Sequence, residues 1–180
     1  MNAPEARPRA DHDVAIIGYG PTGATLAGLL GRYGLNVAVF EKSREIYDQP
    51  RAVGFDHDAM RIFQRIGVAA ALSPFIAPFR DAEYIGVDDR LIQRVRRMPP
   101  PYPLSWEPNY TCNQPGLEAE LRRAVSSMPN VRVGLGQTCM RATDYGDGVR
   151  LHVRDDAGGD HQHTARYLVA CDGASSAVRR

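Results

Sequence analysis

Hydrophobic positions follow several distinct patterns along this chain, and each pattern predicts an element. The run Val14-Ala15-Ile16-Ile17 is uniformly apolar, stops at Gly18 and reads as a strand. A glycine-rich turn follows, then a helix in which Gly23, Ala27 and Gly31 recur every four residues. That spacing puts small residues on one face, where a helix can lie close against a sheet. A second apolar run ends in Glu41, and a polar connection, Lys42 to Val53, holds Pro50 and Arg51. Asp56 can cap the next helix, whose stripe is Ala59, Ile62, Phe63 and Ile66, and Gly67 falls where a left-handed cap belongs. The interval from Glu41 to Asp56 therefore reads as a loop.

Farther along, Glu83 to Val87 and Leu91 to Val95 alternate across Asp88-Asp89-Arg90 and predict a β-hairpin. Met98 to Pro103, MPPPYP, cannot be helix or inner strand and marks a long loop, a candidate domain crossover. Pro115 opens another helix with the stripe Leu117, Leu121, Ala124 and Val125. Its acids Glu118 and Glu120 fall early and Arg122 and Arg123 late, matching the helix dipole. Strands are expected at Val131 to Val133, Gln137 to Asp144, Val149 to Arg154 and His161 to Ala170, the last pair around the turn Asp155 to Asp160. The chain then runs from an apolar strand into Asp172-Gly173 and the beginning of a helix.

Composition changes this picture little. At 180 residues the chain can form one full domain and the start of a second. Its 43% hydrophobic and 24% charged residues are ordinary for a globular protein, and a net charge of +1 gives no ground for a nucleic acid or membrane partner. Cys112, Cys139 and Cys171 are scattered and form no C-x-x-C, against a disulfide framework or zinc site and in favour of a reducing cytoplasm. Residues 1–12 read as a disordered, polar leader without a signal-peptide core, and no apolar run reaches membrane-spanning length.

The chemistry concentrates in the first glycine turn. Gly18, Gly20 and Gly23 satisfy G-x-G-x-x-G directly after a strand. In that motif the first glycine allows the tight turn, the second lets backbone approach a pyrophosphate, and the third brings helix and strand together. The helix N-terminus offers free N–H groups and a positive dipole end to phosphate. Glu41 ends the second strand at the distance expected of a carboxylate on an adenosine ribose, and it would repel a 2′-phosphate. These residues predict a ligand containing ADP, which a nicotinamide dehydrogenase would satisfy as well as a flavoprotein. Arg51 either pairs with a diphosphate from its loop or is a solvated arginine. Gln114 stands at a helix start, in reach of a ligand above the sheet. Trp106 and Tyr110 either line an aromatic substrate site or simply pack. His161 and His163 share a strand face, but without a third ligand they read as a solvated hairpin rather than a metal site. Asp172 at the end of a parallel strand would lie on the ligand-binding rim, so two strand-turn-helix units point at one large ligand.

Taken together, G-x-G-P-x-G at Gly18 to Gly23, Glu41, Arg51-Ala52, Gln114-Pro115 and D-G-x-x-S-x-V-R at Asp172 to Arg179 resemble the single-component flavin aromatic hydroxylases, the group of para-hydroxybenzoate hydroxylase. The stretches PRAVGFDHDAMRIFQRIGV, NQPGLEAELR and LVACDGASSAVRR resemble its 3-(3-hydroxyphenyl)propionate hydroxylase branch. The resemblance implies an α/β, Rossmann-like FAD-binding domain over residues 13–180. It would have a parallel central sheet, β-hairpin and β-meander additions and the start of a substrate domain, to which residues 74–110 would contribute. It implies that Gly18, Gly20 and Gly23 hold the FAD pyrophosphate and Glu41 the adenosine ribose, with Pro21 and Lys42 also cofactor-binding. Arg51 and Ala52 would lie at the diphosphate side of the flavin, and Gln114 would contact FAD. Asp172 and Gly173 would form a second flavin motif, associated also with nicotinamide use and supported by Arg179. The implied activity is an NADH- or NADPH-driven monooxygenase that hydroxylates a phenolic acid, or an aromatic polyketide or other large ring, with O2 through a flavin C4a-hydroperoxide. No catalytic acid, base, nucleophile or metal is expected here, and a homodimer is the candidate assembly. Tyr19 stands where a small residue is usual. The family continues well past this length, so the chain reads as an amino-terminal fragment, the alternative being a non-catalytic ADP- or FAD-binding module.

Overall fold

The structure, a computed structural model, describes residues 10–49, 52–174, 176 and 178. The expected leader is mostly outside them, as are Arg51, Arg179 and much of the expected helix start beyond Gly173. In chain order the elements are β1 (His12–Ile17), α1 (Pro21–Arg32), β2 (Val37–Glu41), β3 (Gly54–Asp56), α2 (His57–Ile66), β4 (Ile76–Pro78), β5 (Ala82–Ile85), β6 (Leu91–Val95), β7 (Asn109–Cys112), α3 (Gln114–Ser126), β8 (Val131–Leu135), β9 (Gln137–Asp144), β10 (Val149–Asp155) and β11 (Asp160–Ala170). They fall into two units, Met1–Ile46 with Val125–Arg180, and Tyr47–Ala124.

The first unit is built on a six-stranded sheet in the order β8-β2-β1-β11-β10-β9. β8, β2, β1 and β11 run parallel, whereas β11, β10 and β9 form an antiparallel meander. β1 and β2 can be uniformly apolar because both of their faces are covered, as parallel strands require. Ala15, Ile17, Ala38 and Phe40 from the parallel strands meet Cys139, Leu151, Val153 and Ala165 from the meander in one core cluster. Each large side chain buried there contributes roughly 1.5–3 kcal/mol of transfer free energy. The small-residue face of α1 is buried as expected, through Gly23, Ala27 and Gly31. It reaches the edge strand β8, since a Cβ on Gly31 would lie 2.7 Å from Val131 Cγ2. Asn130 Nδ2 donates to the carbonyls of Gly31 and Leu35 at 2.9 and 2.8 Å, closing the end of α1. The strand also begins earlier than Asp13: His12 belongs to β1, and Asp11 exchanges hydrogen bonds with Thr164.

The second unit holds a three-stranded antiparallel sheet in the order β3-β7-β4 and the β5-β6 hairpin. The small sheet was not expected, because the segment before Asp56 reads as loop. Gly54 makes it possible, as a Cβ there would overlap the Tyr110 carbonyl on β7. Asp56 caps α2, accepting from Ala59 N–H at 3.0 Å, and Gly67 closes it at φ +93°. Met60 joins Phe63 and Ile66 in the buried stripe, and Ile62 is exposed instead. In α3 the charges act locally more than through the dipole: Glu118 is buried and accepts from Arg122 four residues on, at 2.6 Å. The hairpin strands pair as expected, with Gly86 and Val87 in the turn, and 98–103 has neither helix nor strand.

Candidate nucleotide-binding site

Parallel pairing of β1 with β11, Ile17 opposite Ala170, sets the two strand ends side by side. Cys171 N–H donates to the Ile17 carbonyl at 2.7 Å and Gly18 N–H to the Phe40 carbonyl at 2.8 Å, so the ladder runs into the turn. Gly18 has φ +97°, and a Cβ there would overlap the Cys171 carbonyl and lie 2.9 Å from Asp172 N. On Gly23 a Cβ would overlap the Gly18 carbonyl and sit 3.4 Å from Cys171 Cβ. Gly20 differs: a Cβ there would meet nothing within 4 Å. The first and third glycines thus satisfy packing, and the middle one leaves backbone facing open space, which is what close approach of a phosphate needs.

α1 begins with Pro21 at its first position, has no side-chain cap and no acid in its first turn. Ala24 N–H makes the first helical bond, to Gly20, at 2.9 Å. An uncapped helix N-terminus offers its backbone N–H groups and positive dipole end to an anion. Tyr19 is buried, at 3% exposure, so its ring takes no space on the open side of Gly20. Glu41 ends β2 beside this turn. Its Oε2 accepts from Tyr19 N–H at 2.7 Å and its Oε1 from Ser43 N–H at 2.8 Å. Lys42 next to it is exposed.

On the β11 side, Gly173 adopts φ +78° with no atom within 4 Å of a Cβ position, so its requirement is conformational rather than steric. Asp172 Oδ2 accepts from Val178 N–H at 3.4 Å, and Ser176 N–H donates to the Gly173 carbonyl at 3.2 Å. Burial pushes the thiols of Cys139 and Cys171 up, with the Asp172 charge adding to both, and burial alone raises Cys112. All three are free, and a raised thiol is a poor nucleophile because less of it is thiolate.

In the second unit Gln114 is buried, and its Oε1 accepts from Ala52 N–H at 2.8 Å. A residue expected to face a ligand thus also holds the loop that carries Ala52. Asn113 Oδ1 accepts from Gly116 N–H at 3.1 Å at the start of α3. Tyr110 packs on Phe55, ring centroids 5.5 Å apart, and its hydroxyl accepts from Glu107 N–H. Trp106 Nε1 donates to Gln64 Oε1 at 3.1 Å. Both aromatic residues therefore have packing or hydrogen-bonding work of their own. His161 bonds Asp155 within its hairpin, while His163 is half-buried and lies on Phe40, centroids 4.8 Å apart. Among the described residues no three His, Cys, Asp or Glu groups are placed to hold a metal ion.

The first unit thus brings together Gly18, Gly20, Pro21, Gly23, Glu41, Asp172 and Gly173, and the second joins Gln114 to Ala52. Sequence reasoning missed Tyr19 N–H, Ser43 N–H and Cys171 as parts of the turn. The only available signal was position, since each adjoins a residue already singled out.

A nucleotide site of this form, a glycine turn between parallel strands with an acid at the second strand's end, defines an ADP-moiety-binding α/β domain. The chain belongs to the family described as FAD binding domain, whose model matches residues 11–180. It is 37% identical over 169 residues to a probable NADH-specific resorcinol 4-hydroxylase of Rhodococcus jostii (strain RHA1), covering 93% of this chain and 32% of the relative. It is 34% identical over 180 residues to a 3-(3-hydroxy-phenyl)propionate/3-hydroxycinnamic acid hydroxylase of Mycobacterium sp. (strain JLS), covering 100% of this chain and 31% of that one. The fold is similar to p-nitrophenol 4-monooxygenase PnpA from Pseudomonas putida DLL-E4, with TM-score 0.79 and 23% identity over 93% of this chain and 42% of that one. The chain spans about a third of the length of the curated relatives it matches. No helix among the described residues is long and apolar enough to cross a membrane.

Proposed function

We propose that this chain is the FAD-binding portion of a monooxygenase that uses NADH or NADPH and O2 to hydroxylate a phenolic acid such as 3-(3-hydroxyphenyl)propionate. The observation that carries the reading is the adjacency of the Gly18 turn and Asp172-Gly173 at the ends of neighbouring parallel strands, within a member of the FAD-binding family. The names of the relatives support the hydroxylase activity, and one supports NADH as the reductant. The residues present fit FAD: the open space at Gly20 and the uncapped start of α1 suit its diphosphate. In this reading Gly18, Gly20, Pro21 and Gly23 hold the diphosphate, and Glu41 accepts from the ribose hydroxyls with Lys42 beside it. Arg51 and Ala52 serve the diphosphate side, and Gln114 contacts FAD while fixing Ala52. Asp172 and Gly173, with Arg179, bound the flavin. When bound, FAD supplies the redox chemistry and the reaction with O2. The chain positions it and keeps water from it. We propose the cytoplasm on the three free cysteines, and a homodimer stays the candidate assembly.

The purified intact protein is expected to be yellow and to oxidise NADH faster when a phenolic acid is present. A colourless, folded protein that stays inert after added FAD would overturn the reading.

A further inference from the structure

We infer that Glu41 is a positioning residue that fastens the glycine turn, a task separate from the ribose contact proposed above. One carboxylate bridges two backbone segments, Oε2 to Tyr19 N–H at 2.7 Å and Oε1 to Ser43 N–H at 2.8 Å. These are short, charge-assisted bonds. The remainder of the turn is shaped by exclusion. Gly18 and Gly23 admit no side chain because the Cys171 and Gly18 carbonyls stand where a Cβ would go. Exclusion limits where the backbone can go, but it does not hold it there. Attraction comes from the ladder bond of Gly18 N–H to Phe40 and from Glu41 on the next peptide. Tyr19 is gripped at both ends, its side chain buried and its N–H bound. That peptide precedes Gly20, whose backbone faces the open side, so its orientation sets how the phosphate-facing amides are presented.

The two tasks are compatible. An ionised carboxylate has about four lone-pair sites. Two accept from the backbone here, and the others remain for a ribose diol. Glutamine cannot substitute, because its NH2 would face one of the two backbone donors. Aspartate keeps the charge but is one methylene shorter and cannot span both.

The test is hydrogen–deuterium exchange of the ligand-free protein, read in the turn at 17–23 with β10 as the control for global folding. Calorimetric binding of ADP and of 2′,3′-dideoxy-ADP, which has no ribose diol, is measured beside it. Glu41→Gln is expected to speed exchange in the turn about ten- to a hundredfold, the loss of one charge-assisted hydrogen bond, with β10 unchanged. Dideoxy-ADP is expected to bind the variant more weakly than wild type. Unchanged exchange in the turn, or equal dideoxy-ADP affinity, would leave Glu41 with the ribose alone and overturn the inference. Should Glu41→Gln loosen β10 as well, Glu41→Asp decides: faster exchange confined to the turn supports fastening, and none refutes it. The binding arm rests on the FAD reading. Wild type that binds neither nucleotide would sink that reading, and exchange would still decide the fastening.

Discussion

β1 and β11 are neighbours from His12 opposite Ala165 to Ile17 opposite Ala170, yet their two ends are built on different terms. The carboxyl end is made of backbone: Gly18, Gly23 and the Cys171 carbonyl pack so closely that side chains are excluded. The amino end is made of side chains. There His12 lies 6.1 Å from His163 between ring centroids, and Asp11 binds Thr164. Backbone is the same in every residue and does not titrate near neutrality, so the steric fit of the first end is sensitive to size and not to pH. The second end can absorb substitution, but it answers to protonation.

Gly18→Ala and Gly23→Ala break the steric end and carry the largest expected effect. Each new methyl meets a backbone oxygen, which cannot rotate away, and at Gly18 the φ of +97° adds conformational strain. A loss of about 3 kcal/mol or more in denaturant unfolding is expected for each. A change under about 1 kcal/mol would show that the strand ends can part, and the contrast between the edges would fail.

That steric end was largely legible in the sequence, and the reason is physical. A glycine forced by close packing has no substitute, so Gly18 and Gly23 appear at a fixed spacing after an apolar run. The parallel sheet followed from the family resemblance, and the apolar runs of β1 and β2 agree with it, since strands covered on both faces are apolar throughout. What stayed hidden depends on pairing over long separations. β3 is three residues long and exists because β7 lies beside it, which no local pattern in 54–56 announces. The double bond from Glu41 to Tyr19 and Ser43 was equally hidden, because a carboxylate that binds ribose and one that binds backbone look alike in sequence. His163 misled in the opposite direction: alternation with His161 suggested a solvated face, but Phe40 from β2 covers one of the two rings.

Acid is expected to have the next largest effect, and to act on the amino end. Burial, aided by the charges of His12 and then His161, holds His163 below the usual histidine range, while Asp11 pulls the other way. Elsewhere on the same strands Asp13 pairs with Arg166 at 3.8 Å and His161 bonds Asp155. With the folded pKa depressed, the unfolded chain takes up the proton more readily. Stability is therefore full above about pH 6.5, the unfolded histidine value, and falls as pH drops below it. Asp11, held below the usual carboxylate range by the Thr164 hydroxyl, adds a second loss only near pH 4 and below. His163→Phe should flatten the first fall and leave the second. Equal slopes for wild type and variant between pH 7 and 5, followed by thermal unfolding, would place the proton uptake elsewhere.

The smallest expected effect on stability is at Gly20, and it sharpens the comparison within the glycine turn itself. Gly20 has φ −67° and ψ −173°, extended backbone that any residue adopts, and an added Cβ meets nothing within 4 Å. As the N-cap of α1, glycine is better than alanine by a few tenths of a kcal/mol or more. Alanine recovers about 0.4–1 kcal/mol by restricting the unfolded chain. These terms nearly cancel, so Gly20→Ala should unfold within about 0.5 kcal/mol of wild type. Binding should respond quite differently. If the open side of Gly20 is where a diphosphate lies, the methyl stands in its path, and ADP affinity should fall although the fold does not. A loss of stability as large as that of Gly23→Ala would show that all three glycines serve packing alone. Intact stability together with intact ADP affinity would move the phosphate site away from this turn.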